Sequence, residues 1–347
     1  MRALDRDLQV VELARRLALS GGGSVAESIL CYCRRLIESW ARQAGNILSV
    51  QELEGLVCQR LNLEFQEFRQ PGELDAIVRQ HVEAGDVVFA SLPALFDEDT
   101  FATLIRCRRK AAEAGPKYAA VIDCRDGKAS RRWFSRWHEI AHLLTLDCPT
   151  EMQPVHRSTS EHSAVERLMD QIAADIGFFD PLFAPVFRAK VLSPGRLDFA
   201  AINLVRQQYA AEASLQATAI ACLKRWPKPV VYLEAGLALT VAEARQFDQE
   251  SIPARRPTPK LRVLKVIGNE AARAAGLRLV RNLQVPEESI LHRLFFSRES
   301  IPAGAAMLNA EDLGQWRRSN GNRLSPCPVL VEARLGRRYI EALIQVS

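Results

Sequence analysis

Apolar residues recur with helical spacing through the first sixty positions of the chain, then alternate with polar residues over short runs. Ser24 is placed to cap a helix over residues 25–43, and Ser49 with Glu52 forms the capping-box pattern that opens a helix ending at Leu61. Alternation predicts β-strands. An alternating run spans residues 63–68, and residues 101–106 and 118–123 also have the pattern of strands, with a turn near Gly115 and Pro116 between these two. Helices followed by a small sheet predict an α+β domain.

The second half of the chain begins with two further helical patterns. Residues 197–209 and 215–226 form a pair separated by small residues, which resembles a helix-turn-helix motif. A plain helical hairpin packed on the preceding domain explains the same pattern. Beyond Pro227, mixed patterns predict an α/β module with strands at 230–233, 261–267, 329–333 and 339–346 and helices at 241–247 and 288–295. We therefore predict three regions, residues 1–190, a helix-turn-helix-like segment at 191–228 and a C-terminal domain at 229–347.

The helical run that follows the predicted sheet contains the sequence Trp-His-Glu-Ile-Ala-His at residues 137–142. Residues four apart lie on one face of a helix, so the imidazoles of His138 and His142 can bind one metal ion. Glu139 lies beside that ion in such a helix, placed to take a proton from a water molecule there. A zinc site needs a third protein ligand. Without one, the pattern describes a helix with two hydrogen-bonded core histidines.

A candidate third ligand lies on the next predicted helix. The metzincin pattern, which continues with glycine and histidine, fails because Thr145 and Cys148 stand at those positions. Glu166 lies instead on a helix over residues 163–176, with Asp170 one turn later. Glu166 can therefore bind the metal while Asp170 accepts the free N–H of a ligand histidine. An ordinary solvated acidic pair is the alternative, although two like charges one turn apart repel each other.

These two motifs resemble those of the ImmA/IrrE metallo-endopeptidases, whose H-E-x-G-H motif is paired with a later helix of the form E-x-x-A-N-x-F-A-A. The chain departs from that pattern at two positions, with Ala141 in place of glycine and Asp170 in place of asparagine. The resemblance implies a zincin-like domain that binds one zinc ion per chain and uses Glu139 as its catalytic base. The zinc ligands that it implies are His138, His142 and Glu166. The other residues that match the later helix in spacing are Met169, Ile172, Ala173 and Ala174, with Pro181 closing the region.

The same resemblance implies a biological role. It implies a narrow substrate, a helix-turn-helix transcriptional repressor whose cleavage switches on a stress, prophage or antiviral-defence operon. It also implies a GAF-like C-terminal domain that gates the protease in response to a ligand such as single-stranded or damaged DNA. Residues 251–347 carry 16 Lys and Arg against 8 Asp and Glu, and an arginine-rich surface binds the phosphates of nucleic acids or nucleotides. A solvated basic face is the alternative.

Composition indicates a cytoplasmic protein. The N-terminus leads directly into an amphipathic pattern, without the charged-then-apolar order of a signal peptide. No apolar run approaches the length of a membrane span. The eight cysteines are scattered without the spacing of a disulfide framework. We therefore expect a cytoplasmic location, reduced thiols and no membrane partner.

Two further groups of residues are candidates for control and for substrate contact. Zinc favours sulfur, so a thiolate at the open zinc position would hold the enzyme inactive. Cys107, at the end of a predicted strand, is the first candidate, followed by Cys124 and Cys148. His156 and His162 are candidates for polarising the scissile carbonyl or stabilising the oxyanion. The ordinary interpretations are a buried apolar thiol for each cysteine and an exposed loop position for each histidine.

Two competing classes of function use the same motif without catalysis. In a non-catalytic DNA-binding or sensor protein, the motif holds only a structural metal. In a toxin–antitoxin or phage protein, the fold serves partner binding. Glu139 argues against both classes, because a structural zinc site does not need a carboxylate beside its histidines.

Overall fold

The computed structural model describes residues 4–19, 23–108, 115–145, 163–249, 256–297, 305–336 and 339–346, together with the backbone of residues 156–157. Helices and strands are mixed along the chain, and the strands form two small sheets. This mixture confirms the predicted α+β class. The chain divides into two compact units. The first unit consists of Met1–Phe187 with Val205–Ala217, and the second of Arg188–Leu204 with Thr218–Ser347.

The first part of the chain is mainly helical. Its described elements are α1 (Leu8–Arg16), α2 (Val25–Ala44), α3 (Val50–Leu61), β1 (Leu63–Phe68), α4 (Pro71–Glu83), α5 (Leu92–Leu95), β2 (Thr100–Arg106), β3 (Tyr118–Asp123), α6 (Arg132–Thr145), β4 (His156–Arg157), α7 (Ala164–Gly177), α8 (Asp180–Phe187), α9 (Phe199–Tyr209) and α10 (Leu215–Arg225). None of the described helices in either unit combines the length and the apolar character that crossing a bilayer requires.

Side-chain caps begin the helices where the sequence predicts them. The Ser24 hydroxyl accepts a hydrogen bond from the Glu27 backbone N–H at 3.2 Å, and α2 follows it. The Ser49 hydroxyl accepts from the Glu52 N–H at 3.2 Å, and α3 follows. The return bond of this capping box differs from the usual form, because the Glu52 carboxylate accepts from the Leu48 N–H at 2.8 Å. Both predicted helix starts are confirmed.

The sheet of the first unit has the order β1-β3-β2-β4. β3 is an inner strand, parallel to β1 and antiparallel to β2, and all six of its residues are buried. The antiparallel pair predicted around Gly115 and Pro116 is thus confirmed. β4 pairs with β2 only opposite Thr100 and Ala102. Within the described part of the chain, the remainder of this edge of β2 has no strand partner.

α6 and α7 pack side by side, and α6 also covers β2 and β3. The indole rings of Trp133 and Trp137 on α6 are buried. A Cβ at Gly177, at the end of α7, would lie 3.0 Å from Trp133 Cη2 and 3.1 Å from Trp137 Cγ, so a larger residue there would force the indole rings to shift. This close packing fixes the separation of the two helices. Most of the apolar stripe predicted for α7 is buried, at Leu168, Met169, Ile172, Ala173 and Ile176.

α9 and α10 form the predicted pair of helices, and the turn between them belongs to the first unit. There the Tyr209 hydroxyl donates a hydrogen bond to the Gly177 carbonyl at 2.9 Å. Glu212 forms an ion pair with Arg132 at 2.6 Å. A turn held in this way is typical of a packed helical hairpin, whereas the helix-turn-helix interpretation stays a prediction.

The second unit is built on a sheet of order β6-β5-β9-β8-β7 in which every neighbouring pair is antiparallel. Its described elements after α10 are β5 (Val230–Ala238), α11 (Val241–Gln249), β6 (Lys260–Gly268), α12 (Glu270–Ala274), α13 (Ile290–Phe296), β7 (Ala306–Asp312), β8 (Pro328–Leu335) and β9 (Ile340–Val346). α13 packs on β7, β8 and β9. The four strands predicted for this region are present, whereas β7 was not predicted.

Candidate metal centre

Two histidines on α6 point at one position. His138 and His142 are one helical turn apart, and both are buried. Their Nε2 atoms lie 3.2 Å from each other. Two ring nitrogens at this distance share one proton or one metal ion between them. The helix thus produces the local geometry that its sequence spacing predicts.

α7 brings a carboxylate to the same position. The Ser163 hydroxyl caps this helix by accepting from the Glu166 N–H at 3.2 Å, which places Glu166 in the first turn. One Glu166 carboxylate oxygen lies 3.1 Å from His138 Nε2, and the other lies 3.5 Å from His142 Nε2. Ligands of a tetrahedral zinc ion, at their usual bond lengths, are about 3.3–3.5 Å apart. The three side chains therefore fit a zinc ion, and their ligand atoms lie within 4.8 Å of one another.

Asp170 orients one of these histidines. Its carboxylate lies 2.9 Å from His138 Nδ1, on the opposite side of the ring from Glu166. A carboxylate at Nδ1 favours the tautomer that carries its proton there, which leaves the Nε2 lone pair for a metal. The structure thus brings together the four residues of the predicted metal site, His138, His142, Glu166 and Asp170.

The charges of the site favour a bound cation. Burial works to lower the pKa of His138, but hydrogen bonds to Asp170 and Glu166 outweigh it and raise this pKa to about 10. Burial works to raise the pKa of Glu166, but hydrogen bonds to the two histidines lower it well below its ordinary value. Both shifts have the direction expected where carboxylates stabilise positive charge at the histidines. A proton and a divalent metal ion compete for the same position.

Glu139 differs from the other carboxylates of the site. Its side chain is 1 % exposed, and neither of its oxygens accepts a hydrogen bond from a described residue. Burial raises the pKa of this carboxyl group. A buried carboxylate that the fold does not use for hydrogen bonding is available for proton transfer.

The candidate inhibitory cysteines lie elsewhere or outside the described residues. Cys107 groups with His81 and Asp86, not with His138, His142 and Glu166. Cys124 is buried next to Ala102 and Ile122, and burial raises the pKa of its thiol to about 11. Within the described ranges, no thiol joins the group formed by the two histidines and the glutamate. Cys148 lies outside the described residues.

The side chains of the two candidate oxyanion residues, His156 and His162, lie outside the described part of the chain. His156 belongs to β4, where its backbone pairs opposite Ala102 on β2, and its side chain is outside the description. His162 lies outside the described residues.

A cavity of about 390 Å³ lies in the second unit. Three of its lining residues are acidic, namely Glu288, Glu311 and Asp312. Acidic walls repel phosphate groups, so this cavity does not suit a nucleotide or DNA ligand.

No protein-family model matches this chain, and no curated protein matches it either. The assignment of function therefore depends on the geometry and the charges of the site.

Proposed function

We propose that the protein is a zinc-dependent endopeptidase of the ImmA/IrrE type, with a zincin-like first unit. The observation that supports this proposal is the convergence of His138, His142 and Glu166 beside a buried Glu139, to which no described residue donates a hydrogen bond. Three ligands with nitrogen and oxygen donors, which leave one coordination position open, are typical of catalytic zinc.

Each residue of the site has a distinct role in this proposal. His138, His142 and Glu166 hold the zinc ion, which when bound polarises a peptide carbonyl and increases the acidity of water. Asp170 fixes the orientation of the His138 ring through Nδ1. Glu139 accepts a proton from the attacking water at a carboxylate oxygen and donates it to the nitrogen of the leaving amine. Burial of Glu139 supports this role, because a raised pKa brings a carboxyl group closer to neutral pH.

The proposed substrate is a helix-turn-helix transcriptional repressor, whose cleavage switches on a stress, prophage or antiviral-defence operon. We propose that an extended segment of the repressor binds along the edge of β2 beyond Ala102, where the described strands leave backbone groups for pairing. α6, which carries two of the proposed ligands, packs against β2. β4, which pairs with the beginning of the same edge, lies on the connection from α6 to α7.

We propose that the second unit is a GAF-like sensor module that regulates the cut, and that single-stranded DNA or a nucleotide binds its surface. Its excess of arginine supports a phosphate ligand. The proposed location is cytoplasmic, where the thiols stay reduced.

A purely structural metal is the competing interpretation. A structural site gains nothing from a buried carboxylate next to its ligands, and a buried polar group without a partner costs about 1–3 kcal/mol. The position of Glu139 therefore favours catalysis over a non-catalytic DNA-binding or sensor protein.

The test is Glu139→Gln, with the zinc-loaded protein incubated with the repressor encoded beside its gene. We expect the zinc content to stay at the wild-type level. The rate of cleavage, measured by mass spectrometry of the fragments, should fall by at least 10³-fold, in keeping with the loss of a general base. The matched control is Glu54→Gln, which removes another largely buried carboxylate of the same unit that pairs with Arg136. Cleavage at the wild-type rate by the Glu139→Gln protein contradicts the mechanism.

A further inference from the structure

A second group of metal-binding side chains lies in the first unit, apart from the site described above. His81 lies near the end of α4, Asp86 follows that helix, and Cys107 follows β2. The ligand atoms of these three residues lie within 4.8 Å of one another. His81 and Asp86 are fully buried, and Cys107 is half-buried. Nitrogen, carboxylate oxygen and sulfur thus converge in a largely buried place.

The His81 ring is held in one orientation. It stacks on Phe89 with 3.7 Å between ring centroids and an angle of 2° between the planes. Its Nε2 atom lies 3.0 Å from the Gln66 side-chain oxygen, which positions that nitrogen as a donor. Its Nδ1 atom lies 3.7 Å from an Asp86 carboxylate oxygen. This separation is too long for a hydrogen bond, but it is close to the spacing of two ligands around one metal ion.

The set of donor atoms in this group suits a divalent cation. One carboxylate oxygen of Asp86 accepts a hydrogen bond from the Arg108 backbone N–H, and the other faces His81. A thiolate at Cys107 would place a second negative charge near the Asp86 carboxylate, and a divalent cation bound by both would offset their repulsion. A zinc ion with one carboxylate, one thiolate and one neutral imidazole gives a site without net charge. Sulfur as a ligand selects zinc over magnesium and calcium.

We propose that His81, Asp86 and Cys107 form a second zinc site, independent of the catalytic one. Three protein ligands leave a fourth position for water. The bound ion links the end of α4 to the end of β2, beside an apolar cluster that includes Phe68, Phe89 and Ile105. The cysteine predicted as a switch at the catalytic zinc is thereby a ligand of a different ion.

Cobalt(II) loading of the full-length protein tests this proposal. A thiolate bound to cobalt gives an intense near-ultraviolet charge-transfer band, whereas a site of two histidines and a glutamate gives none. In the wild type we expect a band whose intensity corresponds to one bound thiolate per chain. The band should be lost in Cys107→Ser and retained in Cys58→Ser, since Cys58 is a half-buried cysteine of the same unit outside this group. We also expect two zinc ions per chain in the wild type and one in Cys107→Ser.

A variant of the catalytic ligands separates this proposal from the proposed function. His138→Ala with His142→Ala removes one metal ion and cleavage but keeps the sulfur band. X-ray absorption at the zinc edge of the wild type, which needs no variant to fold, should show sulfur at about 2.3 Å. Zinc bound only by nitrogen and oxygen, or a cobalt band unchanged in Cys107→Ser, overturns the second site and leaves the catalytic one unaffected.

Discussion

Removing the carboxylate of Asp170 should weaken zinc binding without removing a zinc ligand. Its carboxylate accepts from His138 Nδ1 at 2.9 Å, and its side chain is 36 % exposed. A hydrogen bond with a charged partner contributes about 1.5–3 kcal/mol, and the partial exposure of Asp170 places this one at the lower limit. We therefore expect Asp170→Ala to lower zinc affinity roughly tenfold. In Asp170→Asn the amide oxygen still accepts the bond without the charge, so we expect a loss of roughly threefold.

Competition with a chromogenic chelator measures these zinc affinities directly. The matched control is Asp175→Ala on the same helix, which removes a carboxylate that pairs with Arg34 at 2.9 Å and does not touch a ligand. The control should bind zinc as tightly as the wild type. The reasoning is refuted if Asp170→Ala keeps wild-type affinity, or if Asp175→Ala loses as much as Asp170→Ala does.

Two further predictions concern stability. Gly177→Ala should lower the free energy of unfolding by about 1–3 kcal/mol in urea titrations, because the added Cβ meets two buried indole rings. The control is Gly55→Ala in α3, which has open space around it and should instead raise stability by up to about 1 kcal/mol. Equal effects of the two substitutions would contradict the packing argument. Burial raises the pKa of Glu332 to about 7, so the folded state keeps a proton that the unfolded chain loses, and stability falls as pH rises from about 4.5 to 7. Glu332→Gln should remove this loss, so that the free energy of unfolding rises by up to roughly 3 kcal/mol at pH 8 and changes little at pH 4. An equal rise at pH 4 and pH 8 would contradict this prediction.

Local signals in the sequence predicted much of the site. The spacing of His138 and His142 fixes their shared face through helix geometry alone. Ser163 and Glu166 have the cap spacing that begins α7, and the cap is present. The meeting of the two helices was less secure, because it depends on packing between the tryptophans of α6 and Gly177 of α7. Zinc's need of a third ligand pointed to Glu166 on the next predicted helix, and the family resemblance agreed with that choice.

Other parts of the structure gave weak signals in the sequence. α4 was not predicted, because it buries only Leu74 and His81 and so lacks a broad apolar stripe. β7 was missed for a similar reason, since most of its residues are exposed at the edge of the sheet. The group around Cys107 joins residues that are 21 positions or more from it in the sequence, and no spacing rule connects them. Only the tertiary fold brings its sulfur to His81 and Asp86.

Glu139 connects the stability of the first unit to its proposed chemistry. Among the residues that the structure describes, none donates a hydrogen bond to the Glu139 carboxylate. A buried carboxylate without a donor costs about 1–3 kcal/mol, out of a total unfolding free energy on the order of 5–15 kcal/mol for a domain. An apolar side chain at this position would cost less, so packing alone does not explain the residue. The oxygens of Glu166 are engaged by the two histidines, whereas those of Glu139 are not. In the proposed function, Glu166 therefore holds the cation, and Glu139 moves the proton.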